Sequence, residues 1–276
     1  MPDITTLISL FVAGAFISYV VGLIGAPSDT LYIPFLLIAM PYLYPNSKTN
    51  LIPVVMATAT VCIIMNVVYN AFLAFKEKQI EIKAIQEQYW KIIAGGLIGA
   101  TLVYFLQNQI VLLKILLGLM LLIFSVAMWN HLEPEDDKEP LKSSSVNSLF
   151  FLNAAIASSA FGLGGQPYIW ILLKKLYYTY RNALGTARVL NLISMLGSLI
   201  VYICLSINAP FIGTQVIGYF YWPAIVMFGL ASFPFIHLGF LSSRYLPIAI
   251  MKRYYSIFTA LTGIWMIGYA ISFSLK

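Results

Sequence analysis

Gly22-Leu23-Ile24-Gly25-Ala26-Pro27-Ser28-Asp29-Thr30 interrupts a chain that is otherwise strongly apolar. The same order of glycine and proline returns 140 residues later as Gly162-Leu163-Gly164-Gly165-Gln166-Pro167, in a chain of 276 residues. A second echo, Tyr89-Trp90 and Tyr221-Trp222, is offset by 132 residues. Both offsets are close to half the chain, and each break stands early in its half. The order of features therefore predicts an internal repeat.

Composition sets the solvent. Only 9% of residues are charged, against about 25% in soluble domains. Hydrophobic residues make up 61% and the mean hydropathy is +0.87. A chain this size leaves about a quarter of its surface wet, so this much apolar side chain cannot be hidden in one aqueous core. A soluble enzyme, a disordered chain and a disulfide scaffold are excluded, and lipid is the surroundings. Cys62 and Cys204 lie in apolar runs and read as buried small hydrophobes. The segment Met1 to Thr6 lacks a basic leader region and reads as the start of a retained helix.

A helix crosses the hydrocarbon core with about 20 apolar residues. The apolar blocks are Ile4–Gly25, Leu31–Tyr44, Leu51–Phe75, Tyr89–Leu106 and Ile110–Trp129, then Val146–Phe161, Pro167–Leu173, Ala183–Ile207, Val216–Leu241 and Leu246–Phe273. Between the two sets lies the polar run from His131 to Ser145, acidic and carrying two prolines. The expected fold is an all-α polytopic membrane protein. Residues 1–130 form one transmembrane repeat, 131–145 a linker and 146–276 the second repeat. Each repeat holds a short broken or re-entrant helix pair followed by three membrane helices, giving 8–10 membrane segments. Five blocks per half is an odd number, so the repeats are inverted.

Charge orients this arrangement. On it, 13 of the 16 basic residues fall on the linker side, and Lys48, Lys114 and Lys276 on the other. Lys and Arg collect in cytoplasmic loops. The linker is therefore expected in the cytoplasm and both termini outside, in a prokaryotic inner membrane. The net charge of +6 reports this topology and implies no nucleic-acid partner.

Backbone at membrane depth breaks its helix only where protein or water satisfies it. Matched breaks in the two halves are a sequence pointer to a transporter's binding site. The candidate substrate residues are Gly22, Gly25, Pro27, Ser28, Asp29 and Thr30 at the first break, and Gly162, Gly164, Gly165, Gln166 and Pro167 at the second. Helices restarting there would offer unpaired N–H groups and a positive dipole end, which suit an anion. The competing reading is that the glycines only permit close helix packing.

Asp29 is the acidic residue inside an apolar block, and an intramembrane carboxylate is a functional candidate by default. It reads as a carrier of a coupling proton, as a cation ligand or as a helix N-cap. Arg188, about two turns inside its block, reads either as an oxyanion clamp or as a snorkelling cation. Asn66 and Asn191 are central enough to be pocket residues. Asn70, Asn153, Ser158, Ser159, Ser194 and Ser198 read as interhelical hydrogen-bonding groups. His237 reads as a bonded core histidine. There is no H-E-x-x-H, G-x-S-x-G or nucleotide-binding loop, so no catalytic residue, cofactor or metal site is expected. Two further readings stay open: a cation transporter or channel built on Asp29, and a membrane-embedded enzyme using His237 or a serine.

The chain resembles the TauE/SafE family of sulfite exporters. The matching pieces are Gly22-Leu23-Ile24-Gly25 with Pro34-Phe35-Leu36-Leu37, Gly162-Leu163-Gly164-Gly165 with Pro167, and Gly185-Thr186. The resemblance implies secondary transport of a small sulfur-containing anion such as sulfite, thiosulfate or an organosulfonate.

Overall fold

The computed structural model describes residues 3–24, 28–43, 51–129, 148–163, 165, 168, 172, 179–209 and 213–274. Among these are nine helices: α1 Ile4–Ile24, α2 Asp29–Leu43, α3 Ile52–Lys76, α4 Ile82–Phe105, α5 Ile110–Trp129, α6 Ser148–Phe161, α7 Tyr180–Ser206, α8 Trp222–Ser243 and α9 Ile248–Ser274. A two-stranded ribbon, β1 Val216–Ile217 with β2 Phe220–Tyr221, precedes α8. In hydrocarbon only a helix or a closed barrel satisfies its own backbone. Five of the helices are long and apolar enough to cross a membrane, including α1, α3 and α8 over their whole lengths. The protein is an all-α polytopic membrane protein.

Its outer surface agrees with that solvent. Ile8, Val12 and Phe16 on α1, Ile200 and Ile203 on α7, and Leu230 and Phe233 on α8 are all exposed. Acyl chains accept these side chains, whereas water would not. Cys62 is buried as expected, but Cys204 is exposed on α7. An apolar run in lipid faces outward as readily as inward.

Two boundaries differ from expectation. Helix α4 starts at Ile82, not Tyr89. Its first turns expose Lys83, Gln86 and Glu87; hydropathy registers the part in hydrocarbon, while the helix continues beyond it. The block from Val216 is not helical at its start. Val216 pairs with Tyr221 and Ile217 with Phe220 in an antiparallel ribbon. Gly218, at φ +60°, makes the tight turn that a side chain resists.

The helices pair in a pattern that maps onto itself. α1 packs on α8 and α6 on α4; α3 packs on α8 and α7 on α4; α5 packs on α9 and α3 on α7. Exchanging α1, α3, α4 and α5 for α6, α7, α8 and α9 reproduces the same set. Small residues make the close crossings, as is usual between membrane helices. Gly14 and Gly22 of α1 lie against Phe228, Ile236 and Phe240 of α8. Correspondingly, Gly95 and Gly99 of α4 lie against Leu152, Ile156 and Ser159 of α6. Gly118 of α5 and Gly263 of α9 face each other's carbonyls.

The helix starts repeat the theme. The backbone N–H of Glu81, which precedes α4, donates to Thr186 Oγ1 of α7 at 3.0 Å. The N–H of Tyr221, which precedes α8, donates to Thr58 Oγ1 of α3 at 2.9 Å. Each satisfies a donor that the following helix leaves unpaired.

Candidate functional site

The first break delivers Asp29 as the opening residue of α2. The Ser28 carbonyl accepts from the N–H groups of Leu31 and Tyr32, at 3.1 and 3.0 Å, which starts the helix. Pro34 and Pro41 lie inside α2 and remove two backbone donors. Asp29 is fully buried, with Ser28 and Thr30 each 1% exposed.

The partner of Asp29 comes from the other half of the chain. Asn191 of α7 donates through Nδ2 to Asp29 Oδ1 at 3.2 Å and to Oδ2 at 3.4 Å. Ser158 of α6 donates to Asn191 Oδ1 at 3.0 Å. Ser28 Oγ donates to Asp29 Oδ1 at 3.4 Å. The hydroxyl of Tyr168 is buried beside Ser158, Ser194 and Asp29 without a well-formed hydrogen bond. These described groups around the carboxylate are neutral donors, so the arrangement can hold a proton or face a small ligand's charge. Gly162, at φ +62°, closes the second break over the first: a Cβ there would collide with Ile33 Cδ1 and stand 3.6 Å from the Asp29 carbonyl oxygen.

One turn along α2 a second cluster forms. The Tyr32 hydroxyl lies 3.1 Å from Ser18 Oγ and 3.2 Å from Asn66 Nδ2. Asn66 also donates to Ser18 at 3.1 Å, and Ser232 of α8 lies 3.4 Å from Tyr32. Each half thus builds a serine, tyrosine and asparagine set: Ser18, Tyr32 and Asn66 in one, Ser158, Tyr168 and Asn191 in the other. Ser18 and Ser158 are 140 residues apart, as the glycine motifs are, but Tyr32 and Tyr168 are 136 apart. The difference is four residues, Ser28 to Leu31, about one helical turn. That extra turn carries Asp29, which has no acidic counterpart in the second half.

The structure thus brings Ser28, Asp29, Asn191 and Gly162 together, with Asn66 one turn away. Thr30 is buried in α2. Arg188 is half-buried on α7, one turn before Asn191. Gly165 lies against Ala187 of α7. Gly22 packs closely on α8, where a Cβ would collide with the Ile236 carbonyl. Gly25, Pro27, Gly164, Gln166 and Pro167 lie outside the described residues, as does the linker 131–145. His237 is exposed, its Nδ1 3.1 Å from the Tyr69 hydroxyl, so it is not a core histidine. Asn153 is exposed too. Gly185-Thr186 receives the α3–α4 loop, through the Gln79 carbonyl and the Glu81 N–H. Among the described residues no three His, Cys, Asp or Glu side chains form a metal-holding group.

Sequence reading missed Tyr32 and Tyr168, although Tyr32-Ile33 returns as Tyr168-Ile169 after the second break. It also did not foresee the burial of Lys114, a residue counted with the charges on the side opposite the linker: Lys114 lies inside α5 and is 1% exposed.

The family model described as sulfite exporter TauE/SafE matches residues 10–266. No curated protein and no solved structure matches the chain.

Proposed function

Since the chain belongs to the sulfite exporter TauE/SafE family, we propose that it is a secondary transporter that moves a small sulfur-containing anion by alternating access. Sulfite, thiosulfate and organosulfonates are the substrate class. The observation that carries this reading is the contact of Asn191 with both oxygens of Asp29. It joins a helix restarted at one break to a helix of the other half, so the two halves cannot separate without opening it.

Asp29, Ser28, Asn191 and Ser158 are each no more than 2% exposed. That burial suits the occluded stage of a carrier. Rocking one half against the other exposes the cluster to one side at a time. A proton on Asp29 removes the like charge that an incoming anion would meet and leaves a donor toward it. Release of the anion and the proton on the far side couples their movements. In this reading the 131–145 linker is cytoplasmic and both termini are outside, in a prokaryotic inner membrane. A cation carrier built on Asp29 is less well supported, because the described neighbours of the carboxylate are donors. An enzyme built on His237 is disfavoured by the outward position of that residue.

Reconstituted vesicles test this. Wild-type protein should take up labelled sulfite or thiosulfate in response to an imposed pH gradient. Asp29→Asn, nearly the same size, should lose the response to the gradient and at least about tenfold in rate, equivalent to about 1.4 kcal/mol at the barrier. Uptake and pH dependence that survive Asp29→Asn unchanged would remove Asp29 from the mechanism. Uptake of a cation in place of either anion would overturn the substrate class.

A further inference from the structure

The Tyr168 hydroxyl is the group of the Asp29 cluster that the mechanism above leaves unused. Tyr168 is fully buried, and its hydroxyl has no hydrogen-bond partner. It lies beside Ser158, Ser194 and Asp29, yet those groups are bonded elsewhere. Ser158 donates to Asn191 Oδ1 at 3.0 Å. Ser194 is joined to Ser159 at 3.0 Å and donates to the Ala155 carbonyl at 3.4 Å. Asp29 accepts from Asn191 and Ser28. A buried hydroxyl without a partner is costly, and a native fold keeps one chiefly where a function, a water or an ion uses it.

The other half shows why this hydroxyl is left over. There the tyrosine is engaged. Asn66 Nδ2 donates to the Tyr32 hydroxyl at 3.2 Å and to Ser18 at 3.1 Å, and Ser18 and Ser232 lie 3.1 and 3.4 Å from that hydroxyl. Asn191 corresponds to Asn66, and Ser158 to Ser18. In the second set both turn to other partners, Asn191 to the Asp29 carboxylate and Ser158 to Asn191. The extra turn that carries Asp29 therefore draws away the two groups that hold the tyrosine in the first set. Tyr202 also buries a hydroxyl without a partner, but it lies eleven residues past Asn191 on α7, about 16 Å along the axis. The hydroxyl of Tyr168 lies at the acid.

We propose that the Tyr168 hydroxyl is the donor that takes an oxygen of the transported oxyanion at the Asp29 cluster. The proposal rests on the anion-transport reading and names within it a residue that holds the substrate. An O–H group without an acceptor is completed by a ligand that brings oxygen lone pairs, and a small oxyanion brings several. One of its oxygens faces Tyr168 while another accepts from the protonated Asp29. Asp29 follows the first break and Tyr168 the second, so the two donors come from opposite halves. Closure of the halves over the anion completes both bonds, and their parting breaks them.

The test separates binding from folding. Tyr168→Phe removes the hydroxyl and keeps the ring. Because that hydroxyl bonds nothing in the ligand-free protein, the variant should melt at or above the wild-type temperature in detergent, whereas Tyr32→Phe, which removes an engaged hydroxyl, should melt lower. In reconstituted vesicles Tyr168→Phe should raise the KM for sulfite at least about tenfold, equivalent to about 1.4 kcal/mol. The maximal rate should change by less than about twofold, the signature of lost binding. Sulfite and thiosulfate should stabilise the wild type against heat more than they stabilise Tyr168→Phe at the same concentration. A Tyr168→Phe variant that fails to fold, or that loses as much ligand-free stability as Tyr32→Phe, overturns the proposal, because the hydroxyl then holds the fold. If both anions stabilise and cross with wild type and Tyr168→Phe alike, the role of Tyr168 falls and the anion reading stands. If neither anion stabilises the wild type or crosses with it, both fall together.

Discussion

Asn191 Nδ2 donates to both carboxylate oxygens of Asp29, at 3.2 and 3.4 Å, across 162 residues of chain. Asn191 is itself oriented by Ser158 at 3.0 Å, so its amide is fixed to present its N–H groups to the acid. Asn191→Ala removes that donor and leaves a buried carboxylate with fewer partners, at a cost of about 1–3 kcal/mol. The apparent Tm should fall by roughly 2–4 °C per kcal/mol for a chain this long. Ser158→Ala should cost less, because Asn191 keeps its contact with Asp29. Thermal unfolding of the two variants in detergent checks the order, and a larger loss for Ser158→Ala contradicts it.

Gly162 carries two constraints that can be separated. Its φ of +62° costs a side-chain-bearing residue about 1–2 kcal/mol. The second constraint is Ile33 Cδ1, which occupies the place of a Cβ. Gly162→Ala should therefore destabilise by more than the conformational cost alone. Adding Ile33→Val deletes the colliding methyl and should recover the steric part while leaving roughly 1–2 kcal/mol. A double variant no more stable than Gly162→Ala would remove Ile33 from the account.

Two helix glycines should respond with opposite signs to alanine. At Gly22 a Cβ would meet the Ile236 carbonyl and, at 3.0 Å, the Phe240 nitrogen of α8. At Gly268 nothing stands within 4 Å. Gly268→Ala should be neutral or stabilise by up to about 0.5–1 kcal/mol, the usual helix-interior gain. Gly22→Ala should push α1 away from α8 and destabilise by about 1–3 kcal/mol, as overpacking does. Equal melting temperatures for the two variants would contradict the close crossing.

The two threonine acceptors form a matched pair at opposite ends of the bundle. Thr186→Val leaves the Glu81 N–H without its partner, and Thr58→Val does the same to the Tyr221 N–H. Each should cost about 1–2 kcal/mol, with more for Thr58, where the bond is buried, than for Thr186, where it is partly so. The sites share no partners, so the double variant should show the sum to within about 0.5 kcal/mol. A strongly non-additive double variant would point to coupling between the ends.

Much of this molecule is legible without coordinates. The apolar blocks, the polar linker and the repeated glycine-proline breaks place most of the helices and the candidate acid. Asp29 and Asn191 stand out in the sequence because a polar side chain amid hydrocarbon-length apolar runs needs a partner. Less legible were the residues that hide in plain composition. Tyr32 and Tyr168 look like members of an aromatic-rich chain until their hydroxyls are seen at the two serine-asparagine sets. Gly22 and Gly162 carry the same motif, yet one serves a helix crossing and the other a left-handed turn above Asp29.

The sequence alone determined the solvent, the helical fold class and the family, because these follow from hydropathy, length and local motif. Only the tertiary structure decided which side of each helix faces inward. In water an amphipathic pattern would have revealed it, but in lipid the outside is as apolar as the core. Cys62 is buried and Cys204 exposed, and Lys114 is turned into the bundle, for reasons no single helix carries. The contact of Asp29 with Asn191 is of the same kind: local chemistry supplies both residues, and the meeting of two halves supplies the bond.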